Sequence, residues 1–253
     1  MNALLTGTHA TVEEARTFLQ ATGWDVIHLP LIATVSVPRR TWEHEALTSM
    51  GHEPHGTCIV TSKRAAADLS LLLAEHALPR GWNVMAVGEE TGRAFHATGV
   101  PLTVIANGST AAASLASAAC DFTGTHVLLV GARLMDMGLA DAVRGHGGIP
   151  HHVVTYDTTT PGEAREALRT LSSTTVDLGI FWSASAARAF ASASRDSAAP
   201  TLSHAVAMGV QAAAPLEGIA PRIHTPTLPT TQSLLTLLTQ LTQAISTASK
   251  EHA

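Results

Sequence analysis

The chain has 253 residues, 45% hydrophobic but only 4% aromatic, so its core must be built mostly of Ala, Leu and Val. A formal charge of -5, from 15 Lys+Arg against 20 Asp+Glu, excludes the basic stripe that neutralises nucleic-acid phosphates. No apolar run reaches the about 18 residues of a membrane-spanning helix, and the start "MNALLTGTHATVEEA" has no basic region ahead of an apolar one, so the expectation is a cytoplasmic protein without a signal peptide.

Short apolar runs alternate with helical patterns from end to end. "ALLTG" reads as a strand. "TVEEARTFLQATG" reads as a helix with a capping Thr11, acidic residues in its first turn and a closing Gly23. "DVIHLPL" is the next strand and "ATVSVPRR" a proline-bearing connector. "GTCIVTS" is a strand, followed by the helix "AAADLSLLLAEHAL" with Leu69, Leu72 and Leu73 on one face. "NVMAVG", the short helix "EETGRAFHATG", "LTVIAN", "STAAASLASAAC", "HVLLVG", "LADAVRGHG" and "HHVVTY" continue the alternation. "GEAREALRTLS", "LGIFWS", "SAARAFASAS" and "HAVAMG" follow, and "TQSLLTLLTQLTQAIS" closes the chain with Leu234, Leu237, Leu238, Leu241 and Ile245 at helical spacing. Such alternation predicts an α/β protein with parallel sheets flanked by helices. The two cysteines, Cys58 and Cys120, lack metal or redox spacing and read as small buried side chains.

The chain also repeats itself. "CIVTSKRAAADL" resembles "GIFWSASAARAF", and Ser62 to Gly88 spans 26 residues, as does Ser183 to Gly209. "LLTG" at 4–7 matches "LLVG" at 128–131, and Gly7 to Gly23 and Gly131 to Gly147 are both 16. The copies lie 121 and 124 residues apart, about half the chain. Two similar lobes follow, with the carboxyl ends of their strands around a common cleft, where parallel sheets take ligands.

In each copy a strand runs into Ser or Gly and then a helix start, whose unpaired N–H groups and partial positive charge suit an anion. Four such ends, at Ser62, Gly88, Ser183 and Gly209, could hold several carboxylates with few lysines. The alternative for Ser62 and Ser183 is a helix cap and nothing more. No phosphate-binding glycine loop, dinucleotide fingerprint or hydrolase serine elbow occurs. His52, His55, His151 and His152 come without a paired-histidine helix, so no metal is expected.

Tyr156 is the only tyrosine, and it stands at the end of a strand, shortly before Pro161 opens a helix. It is either a packed ring at a domain junction or a proton donor. An unperturbed phenol titrates near 10 and keeps its proton at neutral pH.

Taken in order, "LLTG", "CIVTSKRAA", "VMAVGEETGRAFHATGV", "VLLVG" with "GGIPHHVVTYDT", "IFWSASAARAF", "AVAMG" and "TPTLPTTQSLLTLL" resemble the uroporphyrinogen-III synthase family over almost the whole chain. The resemblance implies two lobes joined by a two-stranded connector. Residues 1–34 and 157–253 would form one lobe, 39–152 the other, and 35–38 and 153–156 the connectors. It implies a monomeric enzyme that needs no cofactor. Its small-molecule substrate, the linear tetrapyrrole hydroxymethylbilane, loses water and closes with its last pyrrole ring inverted. It assigns hydroxyl departure to Tyr156, and substrate contacts to Thr6, Thr61, Ser62, Lys63, Gly88, Thr91, Ser183, Ala184 and Gly209. Three features depart from the family pattern. Gly7 stands where arginine is common, Ala212 stands where threonine is usual, and an Arg-Gly pair after the "LL" strand is missing, with Arg133 nearby. They keep open the alternative of a non-catalytic tetrapyrrole-binding or regulatory relative.

Overall fold

The computed structural model describes residues 1–96, 98–105, 110–135 and 137–251, with the side chains of Met137 and of 246–251 left aside. The chain divides into two compact units, Met1–Ala33 with Thr159–Ala253, and Thr34–Thr158.

The first unit carries β1 (Asn2–Leu5), α1 (His9–Ala21) and β2 (Asp25–His28), and it resumes late in the chain. The second begins within β3 (Ala33–Ser36) and holds α2 (Arg39–His52), β4 (Gly56–Val60), α3 (Lys63–Glu75), β5 (Trp82–Val87) and α4 (Glu89–Gly92). It continues with β6 (Leu102–Ile105), α5 (Ala111–Ser117), β7 (His126–Ala132), α6 (Met137–Gly145) and β8 (Ile149–Thr159). The first unit then adds α7 (Gly162–Thr170), β9 (Thr175–Phe181), α8 (Ala184–Arg195), β10 (Thr201–Ala207), α9 (Val210–Ala213), β11 (Ile223–His224) and α10 (Thr231–Glu251).

The first unit's sheet runs β11-β10-β9-β1-β2, with parallel pairing throughout. The second unit's runs β6-β5-β4-β7-β8-β3, and its pairs from β6 to β8 are parallel. Corresponding strands therefore occupy the same places: β9 and β4 at the centre, β10 and β5 on one side, β1 and β7 on the other. The copies differ in where the chain enters them. In both sheets the strand order reverses beside the central strand, between β9 and β1 and between β4 and β7, the place where such sheets leave a crevice at their carboxyl ends.

Central strands are buried on both faces, as parallel sheets require. Leu4 joins the cluster of Phe181, Phe190 and Leu202, while its neighbours Ala3 and Leu5 join Leu19, Ile180 and Leu238 on the other face. In the second unit Cys58 and Val60 pack with Leu69, Leu72 and Leu128, and Ile59 packs with Leu115, Leu129 and Val143. Period-two alternation of side chains produces both divisions.

Several expectations are corrected. α1 begins at His9 with Thr8 as its cap residue, so Thr11 lies within the helix and no acidic residue falls in the first turn. A helix missed in the sequence, α2, follows β3, because its buried stripe of Trp42, Ala46 and Met50 is too thin to announce it. Val37 N–H donates to the Thr155 carbonyl at 3.0 Å, so the β3 segment and the end of β8 form the edge of the second unit's sheet. Cys58 is fully buried, but Cys120 is only partly so.

Candidate functional site

In the second unit, β4 and β5 lie side by side, and Ser62 and Gly88 follow their carboxyl ends. Ser62 caps α3: its Oγ accepts the Ala65 N–H at 3.1 Å. Ser183 caps α8 in the first unit in the same way, accepting the Ala186 N–H at 3.2 Å, and Ala184 is that helix's first residue. Neither helix has an acidic side chain in its first turn, so neither positive end is neutralised from within. Lys63, 75% exposed, lies 3.8 Å from Glu90 and links the two turns of its unit.

Gly88 and Gly209 hold matching backbone conformations, with φ 83 and ψ 146 at one and φ 110 and ψ 166 at the other. That region is essentially closed to side chains, which explains glycine at both. Each precedes only one turn of α-helix, so the macrodipole there is small, and Glu89 and Glu90 occupy the first turn after Gly88. A cavity of about 760 Å³ opens at Gly88, lined also by Gly92, Arg93 and Val104. Thr91 is buried, as is Ala212 at the corresponding place. The threonine missing from the second copy would therefore have been an interior group. Thr6 is fully buried and donates its hydroxyl to the Ile180 carbonyl at 2.8 Å, which stitches β1 to β9. Thr61 is half-buried between β4 and Ser62.

Gly7, where an arginine is common in the family, is crowded. A Cβ there would stand 3.0 Å from Val12 Cγ1 and 3.1 Å from the Trp182 ring. Arg133 is not free: its Nε donates to Asp157 Oδ2 at 2.9 Å.

Tyr156 reaches its position through a feature that sequence reading missed. β7 and β8 pair in register up to Gly131 opposite Val154, but Ala132 faces Tyr156, so Thr155 is an extra residue, a β-bulge. In an unbroken strand through Thr155, Tyr156 and Val153 would point to opposite faces of the sheet. With the bulge, both pack on the cluster of Trp42, Val60 and Leu128. The phenol then extends past the end of β7 and donates its hydroxyl to Ser62 Oγ at 3.1 Å. The interrupted alternation in "VVTY" is the only sequence signal of this, and it gains meaning only once the register is known.

Among the described residues one group has metal-ligand spacing: Glu43, Glu75 and His76, with donor atoms within 4.8 Å of one another. Arg39 already bonds both carboxylates, at 3.2 and 2.7 Å, and the group sits at the far end of α3 from Ser62. No helix among the described residues is long and apolar enough to cross a membrane.

Fold and turns define a class: a two-unit α/β protein with paired serine and glycine turns at the carboxyl ends of its strands. The family model "Uroporphyrinogen-III synthase HemD" matches residues 13–236, and the chain belongs to the uroporphyrinogen-III synthase family. Among solved structures it is similar to a mutant uroporphyrinogen III synthase from the extremely thermophilic bacterium Thermus thermophilus, at 17% identity and a TM-score of 0.68, covering 98% of this chain and 99% of that one. The uroporphyrinogen-III synthetase from Helicobacter pylori is also 17% identical, with a TM-score of 0.57 over 95% of this chain and 99% of that one. At these identities the two structures bear on the fold alone. No curated protein sequence matches the chain.

Proposed function

We propose that the chain is a cofactor-independent lyase that dehydrates hydroxymethylbilane and closes it, with its last ring inverted, to uroporphyrinogen III. Membership of the family supports the reaction. The observation that carries it to particular residues is the bond from the lone phenol to the serine that caps α3.

The substrate presents eight carboxylates and a hydroxyl that must leave. Peptide N–H groups at the Ser62, Gly88, Ser183 and Gly209 turns answer the first requirement, with Lys63 as a nearby cation. The Tyr156–Ser62 pair answers the second. Left alone, the bilane closes without inversion, so the protein must hold it for attack by the less accessible carbon. Positioning of this kind lowers a barrier by about 7–11 kcal/mol. A general acid contributes about 10²–10⁴-fold, or roughly 3–5 kcal/mol. Binding therefore decides which isomer forms, and the hydroxyl pair decides how fast.

The test is to give purified protein freshly made hydroxymethylbilane and to read the isomer ratio of the oxidised porphyrins. Isomer III in excess is expected. Isomer I alone, at the uncatalysed rate, refutes the proposal.

A further inference from the structure

Ser62 Oγ has two lone pairs, and both are taken. One accepts the Ala65 N–H at 3.1 Å and the other the Tyr156 hydroxyl at 3.1 Å. A serine hydroxyl offers one donor and two acceptor sites, so among the described residues only its own proton is uncommitted. In this state Ser62 can donate to a ligand and cannot accept from one. Tyr156 is in the opposite position, because its single proton is already committed to Ser62. A phenol that served a substrate directly would first have to break that bond.

We infer that Ser62 is the catalytic acid and that Tyr156 resupplies it, a two-proton relay resting on the synthase reading above. As the C–O bond of the departing hydroxyl breaks, its electron pair stays on oxygen, which takes the Ser62 proton and leaves as water. Ser62 Oγ takes the phenol proton, so a phenolate and a resonance-stabilised cation on the bilane balance one another. The cation closes onto a pyrrole carbon. The proton expelled when that ring regains aromaticity returns through the same pair to the phenolate, and no net proton is consumed.

Three features of the chain support this order. The phenolate forms one hydrogen bond away from the first-turn N–H groups of α3, a thirteen-residue helix whose positive end has no acidic neighbour in its first turn. The bulge at Thr155 turns the phenol onto the face where Ser62 lies, which an unbroken strand would not do. The corresponding serine, Ser183, is capped alike, yet the chain's single tyrosine stands behind Ser62.

Three readouts test the relay. Ser62→Ala and Tyr156→Phe should each lower kcat by about 10²–10⁴-fold with KM little changed, and the double variant should be no slower than the singles. Ser62→Thr should recover most of the loss. Ser62→Asn keeps a helix cap and an acceptor for the phenol but cannot pass a proton, so it should stay slow while folded. Rates in H2O–D2O mixtures should show two protons in flight in the wild type. Because the chain has one tyrosine, the tyrosine doublet in ultraviolet resonance Raman reports Tyr156 alone, and Ser62→Ala should change it without any substrate. A wild type that makes isomer III while Ser62→Ala or Ser62→Asn keeps full kcat, or losses that multiply in the double variant, overturns the relay and leaves the synthase standing. An unchanged doublet overturns the contact itself. Isomer I alone from the wild type overturns relay and synthase together.

Discussion

Gly209→Ala separates backbone conformation from packing. Gly209 sits at φ 110 and ψ 166, and a Cβ built there meets nothing within 4 Å. The whole cost is therefore torsional: a side chain in that region costs about 1–3 kcal/mol. For a chain of this size each kcal/mol moves Tm by about 2–4 °C, so the expected drop is about 2–12 °C. The alternative to bearing the strain is to flip the turn, which breaks the Gly209 N–H bond to the Ala207 carbonyl at 2.8 Å and re-aims the Val210 N–H, and on the proposed reading should raise KM. Gly51→Ala is the matched control. Gly51 lies inside α2, has no positive φ and also meets nothing within 4 Å. The same added methyl should stabilise there by about 0.5–1 kcal/mol. Calorimetry on both variants, with KM for hydroxymethylbilane, reads the contrast. A Gly209→Ala protein with the wild-type Tm and KM refutes the argument that this turn needs glycine.

His204 and His224 stack with Nδ1 to Nε2 at 3.1 Å, and Arg222 lies beside them. Burial first, then the neighbouring positive charges, hold both imidazoles below the usual histidine range, partly offset at His204 by Asp177. The folded state thus binds fewer protons than the unfolded one. Stability from this pair is complete above pH about 6.5 and is lost as pH falls through the lowered folded values, so His224→Gln should flatten the acid side of a Tm–pH curve. Burial pushes the Cys58 thiol up to about 12, and it raises Cys120 as well. Mass spectrometry after brief iodoacetamide treatment at neutral pH should therefore find Cys58 unlabelled until the chain unfolds. Gly7→Ala should cost about 1–3 kcal/mol in denaturant titrations, because Val12 and Trp182 must each give by a few tenths of an ångström.

What the sequence revealed depended on how far apart the interacting residues lie. Strands such as "CIVTS" and "LLVG" were legible because an apolar run buried on both faces needs no partner to identify it. The doubled design was legible because equal 26-residue spacings are a property of the string itself. α2 was hidden because Trp42, Ala46 and Met50 make a thin stripe among charged residues after Pro38. The start of α1 was misjudged because Glu13 and Glu14 mimic a first turn, whereas the helix begins at His9 and the Thr8 and Thr11 hydroxyls bond each other at 2.7 Å. Tyr156 and Ser62 each stood out alone. Their bond joins residues 94 apart and depends on a register shift, which no local pattern encodes.

The departures from the family pattern have packing causes that bear on where chemistry resides. Any side chain at position 7 would place its Cβ tightly against Val12 and Trp182, and a threonine at 212 would lie in the buried cluster with Phe190 and Leu216. Neither change removes a capped helix start: Ser183 and Ser62 accept their N–H groups at nearly equal distances. Among the differences between the copies is the phenol, which stands behind Ser62 and has no counterpart behind Ser183. If both turns bind carboxylates through the same backbone geometry, duplication accounts for binding, and the reaction needs one asymmetric addition. On the proposed reading the register shift at Thr155 supplies it: in an unbroken strand residues 153 and 156 would face opposite sides of the sheet, and the bulge brings Tyr156 to the side of the α3 cap.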